Sequence, residues 1–473
     1  MGSKMNSGLL VFAFFVFFLI QRQRRRHSLA VSHGCLPPVG YQPKEPFLAF
    51  DFQMRMYSYV PFHYELHQRF GDTYQVQSWI SLPSICTIAI ENIRTINVSK
   101  DFGVEPMRLS GLEYFCGRGF ITTDGDTWKH ARKLLKPSFD MNSIRDLTTL
   151  QSEVDTLLEQ LPKDGSTVDL QPLLYVMFLN SALHFVLGID PSEQSSAPLT
   201  ADEFVKSFHS ALVYSMFRVM LGRAWNLLPQ KNYIKTCAAA HKFLDYYISQ
   251  SLEGSSRHKS KSLIGELSVQ TDDLDFIRSQ VIQAMMAAQD TTSELLTNAL
   301  FLLARHPVYW NQLRAEFIDM PEEAFTAEKL MGSTLRIHPI FPLLGRLALR
   351  DTVLPVGGGP NHDHPIFVQK GSMVVMPYYA LHRNHSVYGE DVEKFRPERW
   401  NSIKPEQWES MGFGSGNRAC LGQQKATIEV AYVLARFAQS IVRLESRDSQ
   451  DWKGELKLTC KSANGCKVAV YDG

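Results

Sequence analysis

The sequence predicts a mainly α protein of the α+β type, with a helix-rich body and small sheets at its edges. Its longest helical pattern, Asp275 to Arg305, is too long and too apolar to lie on a surface. Further amphipathic helices are predicted where apolar residues recur at helical spacing, in residues 152–161, 202–217 and 238–252. Short strand-like segments occur towards both ends, in residues 74–80, 85–90, 372–377 and 467–472.

Composition and charge narrow the class of protein. The chain has 473 residues, a length that by itself would suggest two or three domains. It contains no internal repeat and no second linker, so we expect a single catalytic domain over residues 47–473. The formal charge of +1 gives no basic field for binding nucleic acid. The seven cysteines are odd in number and form no CxxC pair, which favours free thiols in a reducing compartment.

The N-terminus predicts a membrane anchor with a basic flank in residues 1–26. Gly8 to Ile20 is wholly apolar and is followed by Arg22, Arg24, Arg25 and Arg26. Its 13 residues are fewer than the roughly 20 of a usual spanning helix, so length alone would favour a signal-peptide core. The positive charge follows the apolar run, however, and positive charge marks the cytoplasmic side. A buried core helix is the remaining alternative.

Residues 27–46 are predicted to form a stiff, proline-rich linker between anchor and body. Four prolines fix φ and remove backbone donors, which excludes a helix or an inner strand there. They are Pro37, Pro38, Pro43 and Pro46.

The segment AAQDTT, residues 287–292, lies in the middle of the longest predicted helix. Asp290 and Thr291 compete for backbone hydrogen bonds and are poor residues for a helix interior. The residues alone favour a structural interpretation, in which Thr291 bonds back to a carbonyl one turn earlier and bends the helix. A catalytic interpretation needs a reaction that uses an acid and an alcohol at this position.

A glycine-rich loop near the C-terminus points to such a reaction. The segment FGSGNRACLG has the pattern F-x-x-G-x-R-x-C-x-G, at Phe413, Gly416, Arg418, Cys420 and Gly422. It resembles the haem-thiolate sequence of the cytochrome P450 monooxygenases. A thiolate donates strongly to iron and favours O–O cleavage, and a tight loop before a helix can keep the sulfur anionic. A glycine turn with a chance cysteine is the alternative, but five positions match together.

Other segments resemble the same family in the correct order along the chain. WKHAR resembles its W-x-x-x-R, which implies that Trp128 and Arg132 bind haem propionates, as Arg418 would. FRPERW implies that Arg399 belongs to a structural cluster behind the haem. STLRIHP and LLGR imply a structural role for Arg336 and a propionate contact for Arg346.

The resemblance implies a monooxygenase that holds haem b through Cys420. It also changes the interpretation of AAQDTT, because two protons must reach the oxygen before the O–O bond breaks. Thr291 would hold a hydroxyl or water there, and Asp290 would relay protons, with Ala288 where the family usually has glycine. Electrons would come from a membrane-bound, NADPH-dependent flavoprotein reductase, which would dock on a basic helix face. That face carries Lys129, Lys133 and Lys136.

The implied substrate is lipophilic, and the implied location is the endoplasmic reticulum membrane with the catalytic domain in the cytosol. Segments 164–180 and 379–389 resemble the fungal branch that hydroxylates alkanes and fatty acids, which also includes members acting on secondary metabolites. Aromatic and methionine side chains in residues 209–225 suit an apolar substrate or, equally, a core. The alternatives are a haem-dependent isomerase or dehydratase, an inactive haem-binding member, and a non-enzymatic membrane-interaction protein.

One position departs from the family. The family's ExxR glutamate lies three residues before Arg336, where this chain has Ser333. Glu328 is too far back to replace it. The helical segment before Arg336 is also shorter than in the family. A segment missing between about Met331 and Ser333 explains both features. We therefore expect the chain as written to bind haem poorly or to fold marginally.

Overall fold

The computed structural model describes residues 23–189, 197–253, 262–319 and 325–472, together with residues 14, 17, 20 and 21. The predicted anchor core, Gly8 to Ile20, lies almost wholly outside these residues. The described chain is a helix-rich body with small sheets, so the predicted mainly α fold is confirmed.

The N-terminal half is built mostly from helices. Helix α1 covers residues 23–32. The next helices precede the first long core helix: α2 (Phe50–Ser58), α3 (Phe62–Phe70), α4 (Ile90–Val98), α5 (Glu105–Cys116), α6 (Gly125–Leu135), α7 (Met141–Ile144) and α8 (Thr148–Gln160). Four long or medium helices follow: α9 (Leu170–Leu187), α10 (Ala201–Leu221), α11 (Lys231–Leu252) and α12 (Leu263–Gln270).

The C-terminal half begins with the longest helix, α13 (Leu274–Leu303), close to its predicted bounds. After it come α14 (Pro307–Asp319), α15 (Phe325–Ile337), α16 (Tyr378–Leu381), α17 (His385–Tyr388) and α18 (Gln423–Ser440). Short 3-10 turns lie at Lys136–Phe139, Gly222–Leu227, Pro397–Asn401 and Gly416–Arg418.

The strands form one larger sheet and three small ones. The six-stranded sheet has the order β1 (Val39–Tyr41), β2 (Thr73–Val76), β3 (Ser84–Thr87), β9 (Met373–Met376), β6 (Leu344–Ala348) and β4 (Phe102–Gly103). Its β1–β2 and β3–β9 pairs are parallel and the others antiparallel. The second sheet has the order β10 (Arg443–Ser446), β13 (Lys467–Tyr471) and β5 (Asp164–Asp169). Two hairpins complete the set: β7 (Thr352–Gly358) with β8 (His364–Val368), and β11 (Gly454–Leu456) with β12 (Cys460–Ser462).

Helix α13 organises the core. Its N-terminus is capped by Asp273, whose carboxylate accepts a hydrogen bond of 3.0 Å from the Phe276 amide. Apolar side chains of α13 extend into both large core clusters, one shared with α15 and α18 and the other with α10 and α11. The helix therefore links the two halves of the molecule, as its uninterrupted apolar pattern predicts.

One other helix is apolar and long enough to cross a membrane. Within the described residues this is α9, with a mean hydropathy of 1.5. More than half of it is buried inside the protein, and it packs against α13 and α8. Its composition therefore matches that of a core helix.

The proline-rich segment differs from a free spacer. Residues 27–32 continue α1, and only the chain after them is extended. Cys35 is buried, the Leu36 amide donates to the Pro365 carbonyl, and β1 pairs along the edge of the larger sheet. The segment thus packs onto the body. Proline excludes an inner strand there but does not exclude pairing at a sheet edge.

Candidate active site

The loop before α18 folds as its glycines require. Gly414 and Gly416 have φ of 68° and 70°, a region that side chains with a Cβ rarely adopt. The Cys420 amide donates to the Phe413 carbonyl at 2.9 Å and closes the loop. Gly422 is the N-cap residue of α18, so the cysteine lies just before a helix N-terminus. This is the loop-to-helix geometry predicted for a thiolate ligand.

The Cys420 thiol lies at the boundary of protein and open space. Its surface is accessible, yet enough protein surrounds it for burial to raise its pKa. The Gly422 amide and the Arg132 guanidinium act in the opposite direction and lower that pKa. A thiol that is both accessible and surrounded fits a position on the wall of an interior cavity. The other six cysteines are buried, and all seven are free, as predicted.

Arginines from distant parts of the sequence gather beside this loop. Arg418 donates to the Asp124 carboxylate at 2.6 Å and lies 4.8 Å from the centre of the Trp128 ring. Arg132 donates to the Ala419 carbonyl at 2.9 Å and also lies over Trp128. The predicted residues Trp128, Arg132 and Arg418 are therefore brought together, with the indole as a platform between two guanidinium groups.

Arg346 and one unpredicted residue, Arg108, extend the cluster. Arg346 is buried on β6, and its recorded hydrogen bond, of 3.0 Å, goes to the carbonyl of neighbouring Gly345. Arg108 on α5 donates to the Ile121 carbonyl at 2.6 Å. Burial, followed by the charges of Arg346 and Arg418, lowers the pKa of Arg108 to about 9. No local sequence pattern marks Arg108, because its role depends on what α5 packs against.

The cluster fits the two carboxylates of a haem. Burial lowers the pKa of Arg346, and it lowers that of Arg418 to about 10 although Asp124 opposes the shift. Among the described residues, Asp124 is the carboxylate that pairs with an arginine of this cluster, Arg418. The nearby carboxylate of Glu105 pairs instead with Arg118, at 2.5 Å. Positive charge therefore exceeds negative charge beside the thiol. Planar guanidinium groups in this arrangement are suited to carboxylates.

The middle of α13 has accessible surface inside the protein. Between residues 281 and 303 every residue is buried except Ala287, Ala288, Asp290 and Thr291, which are half-buried. Those four belong to AAQDTT, so the helix faces open space there. The Thr291 hydroxyl donates to the Ala287 carbonyl at 2.7 Å. This is the bond of the structural interpretation, and the catalytic role of Thr291 stays a prediction.

Polar side chains from two other helices surround this part of α13. The Gln289 side chain contacts Tyr175 of α9 and His209 of α10, which also contact each other. Burial raises the pKa of Asp290, while the charges of His209 and Lys461 lower it. His209 and Tyr175 were not predicted as site residues from the sequence. Neither residue lies in a recognisable pattern.

Arg336 and Arg399 lie together in a separate buried cluster, as the resemblance implies. Arg399 pairs with Asp391 at 2.6 Å. Arg336 donates to three backbone carbonyls, those of His382, Val392 and Lys394. Within the described residues no carboxylate contacts Arg336. Burial, with the charges of Arg399 and Arg383, lowers its pKa to about 10.

Ser333 occupies the place of the expected glutamate on the continuous helix α15. Its side chain is 2% exposed, and its hydroxyl accepts a 2.8 Å hydrogen bond from the Trp400 indole. Glu328 is exposed and so does not replace the missing carboxylate. The buried Nε atoms of Arg399 and Arg396 have no hydrogen-bond partner among the described residues. Serine at this position leaves Arg336 with backbone carbonyls as its hydrogen-bond acceptors.

The predicted basic face is exposed. Lys129, Lys133 and Lys136 all have exposed side chains on or at the end of α6. Lys129 makes an exposed ion pair of 3.4 Å with Asp126, a contact worth little in water. The face is thus available to a partner.

Comparison with known proteins identifies the same family that the sequence motifs resemble. The sequence profile of the family "Cytochrome P450" matches residues 46–445. The chain is 32% identical to cytochrome P450 monooxygenase FPY7 of Fusarium mangiferae, over 95% of this chain and 92% of the relative. It is 34% identical to cytochrome P450 monooxygenase himC of Aspergillus japonicus, over 95% and 86%. It is 32% identical to cytochrome P450 52-E3 of Starmerella bombicola, over 98% and 97%.

Proposed function

The chain belongs to the cytochrome P450 family of monooxygenases, and we propose that it inserts one atom of O₂ into a lipophilic substrate, with Cys420 as the residue whose thiolate would hold the iron of haem b. The family implies a haem-thiolate iron, a redox partner and O₂. For this chain we propose the substrate class, the residue that would bind the iron, and the redox partner.

The observation that carries the proposal is the environment of the Cys420 thiol. It is the accessible one of seven cysteines, it follows a loop bent at Gly414 and Gly416, and it precedes the N-terminus of α18. The Gly422 amide and Arg132 both favour the anionic sulfur. A thiolate is the form that binds iron, and these two contacts oppose the rise in pKa that burial of the thiol causes.

The arginine cluster would bind the propionates. Arg108, Arg346 and Arg418 are the main donors in this proposal, with Arg132 and Trp128 beside them. Bound haem would supply the iron at which O₂ is activated and one of its atoms is transferred, while the other leaves as water. Asp290 would hold and pass on protons, and Thr291 would position a hydroxyl or water for them.

We expect Thr291→Ala to keep its haem content but to divert electrons into hydrogen peroxide, since protons would no longer be positioned at the bound oxygen. The measurement is product formed per NADPH consumed with a reductase and a fatty-acid or alkane substrate. Thr297→Ala on the same helix is the control for loss of a threonine hydroxyl, because Thr297 is fully buried outside the half-buried segment and its hydroxyl has no partner among the described residues. Unchanged coupling in Thr291→Ala would contradict the catalytic role. Product formed without an electron donor would instead favour an isomerase or dehydratase.

A lipophilic substrate is supported by the second half of α10 and by the relatives. Val213, Phe217 and Met220 are exposed there, whereas Phe208 and Leu212 of the same helix are buried in the core. The core interpretation therefore applies to one face of α10, and the other face is free to contact apolar molecules. We propose a fatty acyl chain, an alkane or a secondary-metabolite intermediate as the substrate.

The proposed electron source is a membrane-bound, NADPH-dependent flavoprotein reductase with an acidic docking surface. Replacement of Lys129, Lys133 and Lys136 by glutamate should slow reduction of the haem. Added salt should slow reduction of the wild type in the same way, because both changes weaken charge-steered docking. The measurement is the rate of reduction by stopped-flow absorbance. The same reversal at Lys231, Lys235 and Lys242, which are exposed on α11, is the control. Rates that respond to neither salt nor the first reversal would exclude this docking face.

The proposed location is the endoplasmic reticulum membrane, with the catalytic body in the cytosol. The arginines after the apolar N-terminal run support this orientation, and Arg24 and Arg25 are exposed on α1. Free cysteines are consistent with the same compartment.

One alternative has a specific observation in its favour. An inactive haem-binding member is supported by Ser333 and by the missing carboxylate beside Arg336. The variant Ser333→Glu distinguishes this inactive member from an active enzyme.

A further inference from the structure

Asp124, the residue before α6, is a carboxylate that the proposed function leaves without a role. Its Oδ1 pairs with the Arg418 guanidinium at 2.6 Å, and Arg418 also donates to the Thr123 carbonyl at 2.5 Å. Both bonds use Nη2 of Arg418. Among the described residues, Nε and Nη1 of Arg418 have no hydrogen-bond partner. Asp124 thus holds one nitrogen of the guanidinium group and leaves the other two free to donate.

The second oxygen of Asp124 holds the start of α5. Its Oδ2 accepts hydrogen bonds from the Val104 amide at 2.8 Å and from the Glu105 amide at 2.7 Å. In return, the Glu105 carboxylate accepts a hydrogen bond of 2.9 Å from the Asp124 amide. Arg108 lies about one turn further along α5. Asp124 therefore fixes the helix from which Arg108 extends.

Asp124 also packs against the larger sheet, close to the strand of Arg346. A Cβ on Gly103 of β4 would overlap the Asp124 carboxylate, so glycine makes room for it there. Gly103 pairs with Leu347 of β6, the residue after Arg346. One carboxylate therefore contacts the cysteine loop, the start of α5 and the strand beside β6. These are the parts of the chain that position the three main arginines of the cluster.

The pair of Asp124 and Arg418 is partly shielded from water. Their side chains are 17% and 19% exposed, and the Trp128 ring lies 4.8 Å from the guanidinium carbon. A pair in such surroundings is screened less than one on the surface, and a guanidinium that is already held loses less freedom when it binds a ligand. The charge of Asp124 disfavours a second carboxylate nearby, but the charges of Arg108, Arg346 and Arg418 exceed it.

We propose that Asp124 is a positioning residue for haem binding, which holds Arg418 and the start of α5 in the arrangement that receives the carboxylates of the cofactor. This inference rests on the proposed function, in which the arginine cluster binds those carboxylates. Asp124 acts through Arg418 and α5 and does not itself contact the cofactor.

The test compares haem b with its dimethyl ester, in which both carboxylates are blocked. Dissociation constants of the two are measured by titration into the full-length protein, followed by haem absorbance. The wild type should prefer free haem. Asp124→Asn should reduce this preference about tenfold, the factor expected for one hydrogen bond to a charged group, with little change in affinity for the ester. Asparagine can still accept from the Val104 and Glu105 amides, but its nitrogen cannot accept from Arg418.

Further variants show through which residue Asp124 acts. Arg418→Gln should also reduce the preference for free haem. The double variant should lose no more than Arg418→Gln alone, because asparagine keeps the contacts with α5 and no guanidinium remains to be positioned. Asp273→Asn is the matched control, since Asp273 accepts from a backbone amide at the start of α13 and has no arginine partner among the described residues. Its preference should equal that of the wild type.

The outcomes separate this inference from the function beneath it. A wild type that binds haem and the ester equally well overturns the proposed role of the arginine cluster, and with it that of Asp124. A preference that is unchanged in Asp124→Asn overturns the role of Asp124 and leaves the cluster in place. Equal weakening of haem and ester binding, additive losses in the double variant, or failure of Asp124→Asn to fold would make Asp124 a structural residue only and would also overturn the proposal.

Discussion

Cys420→Ala should abolish the thiolate-type absorbance of the reduced, carbon monoxide-bound protein. The change removes the sulfur that the loop presents beside Arg132 and the Gly422 amide, and a soft anionic donor is what gives this absorbance. The measurement is the reduced carbon monoxide difference spectrum of the purified full chain, together with its content of extractable haem b. We expect complete loss of the band.

Cys237→Ala is the matched control for this experiment. Cys237 lies on α11 and is buried in the core, and burial raises the pKa of its thiol to about 12, so it is a neutral core residue. Its replacement should leave the band in place. A band that survives in Cys420→Ala would exclude Cys420 as the ligand.

The chain as written should bind haem poorly and unfold readily, and Ser333→Glu should raise both its haem content and its stability. Arg336 is buried with only backbone carbonyls as acceptors, near Arg399 and Arg383. Loss of one partner from a buried charge network typically costs about 3–5 kcal/mol, out of a total stability of about 5–15 kcal/mol. A glutamate at position 333 lies on the same helix face as Arg336 and can accept from it.

The measurements are urea unfolding and the molar ratio of haem to protein. We expect Ser333→Glu to gain about 1.5–3 kcal/mol, the usual value of hydrogen bonds to charged groups. Thr334→Glu is the control for position, because adjacent helix residues do not share a face and a buried, unpaired carboxylate is destabilising. Full haem occupancy and turnover in the chain as written, unchanged by Ser333→Glu, would show that the carboxylate is dispensable.

The absence of the glutamate also leads to an expectation about the transcript. We expect it to encode an additional segment between Met331 and Ser333 that contains the glutamate, and sequencing across the codons for Lys329 to Arg336 tests this. A transcript that matches the chain would indicate a genuine deletion.

The elements with strong periodicity could be predicted from the sequence alone. Helix α13 was predicted within about two residues at each end, because a long apolar pattern buried on all sides leaves little choice of conformation. The loop around Cys420 was likewise predictable, since positive φ at Gly414 and Gly416 is a local property of the backbone. The departure from the family at Ser333 was also visible in the sequence, because it concerns only which residue stands three positions before Arg336.

Which side chains meet depends on how the helices and strands pack, and this was not predictable from the sequence. Arg108 joins Arg346 and Arg418 because α5, β6 and the cysteine loop converge there, and no spacing along the chain encodes that convergence. The packing of residues 35–41 against the larger sheet depended on a free sheet edge, which prolines permit but do not specify. Glu294 looks like an ordinary helix residue until its burial and its contact with Gln171 are known. Its charge depends on burial and neighbours, which are properties of the folded chain and not of the residue.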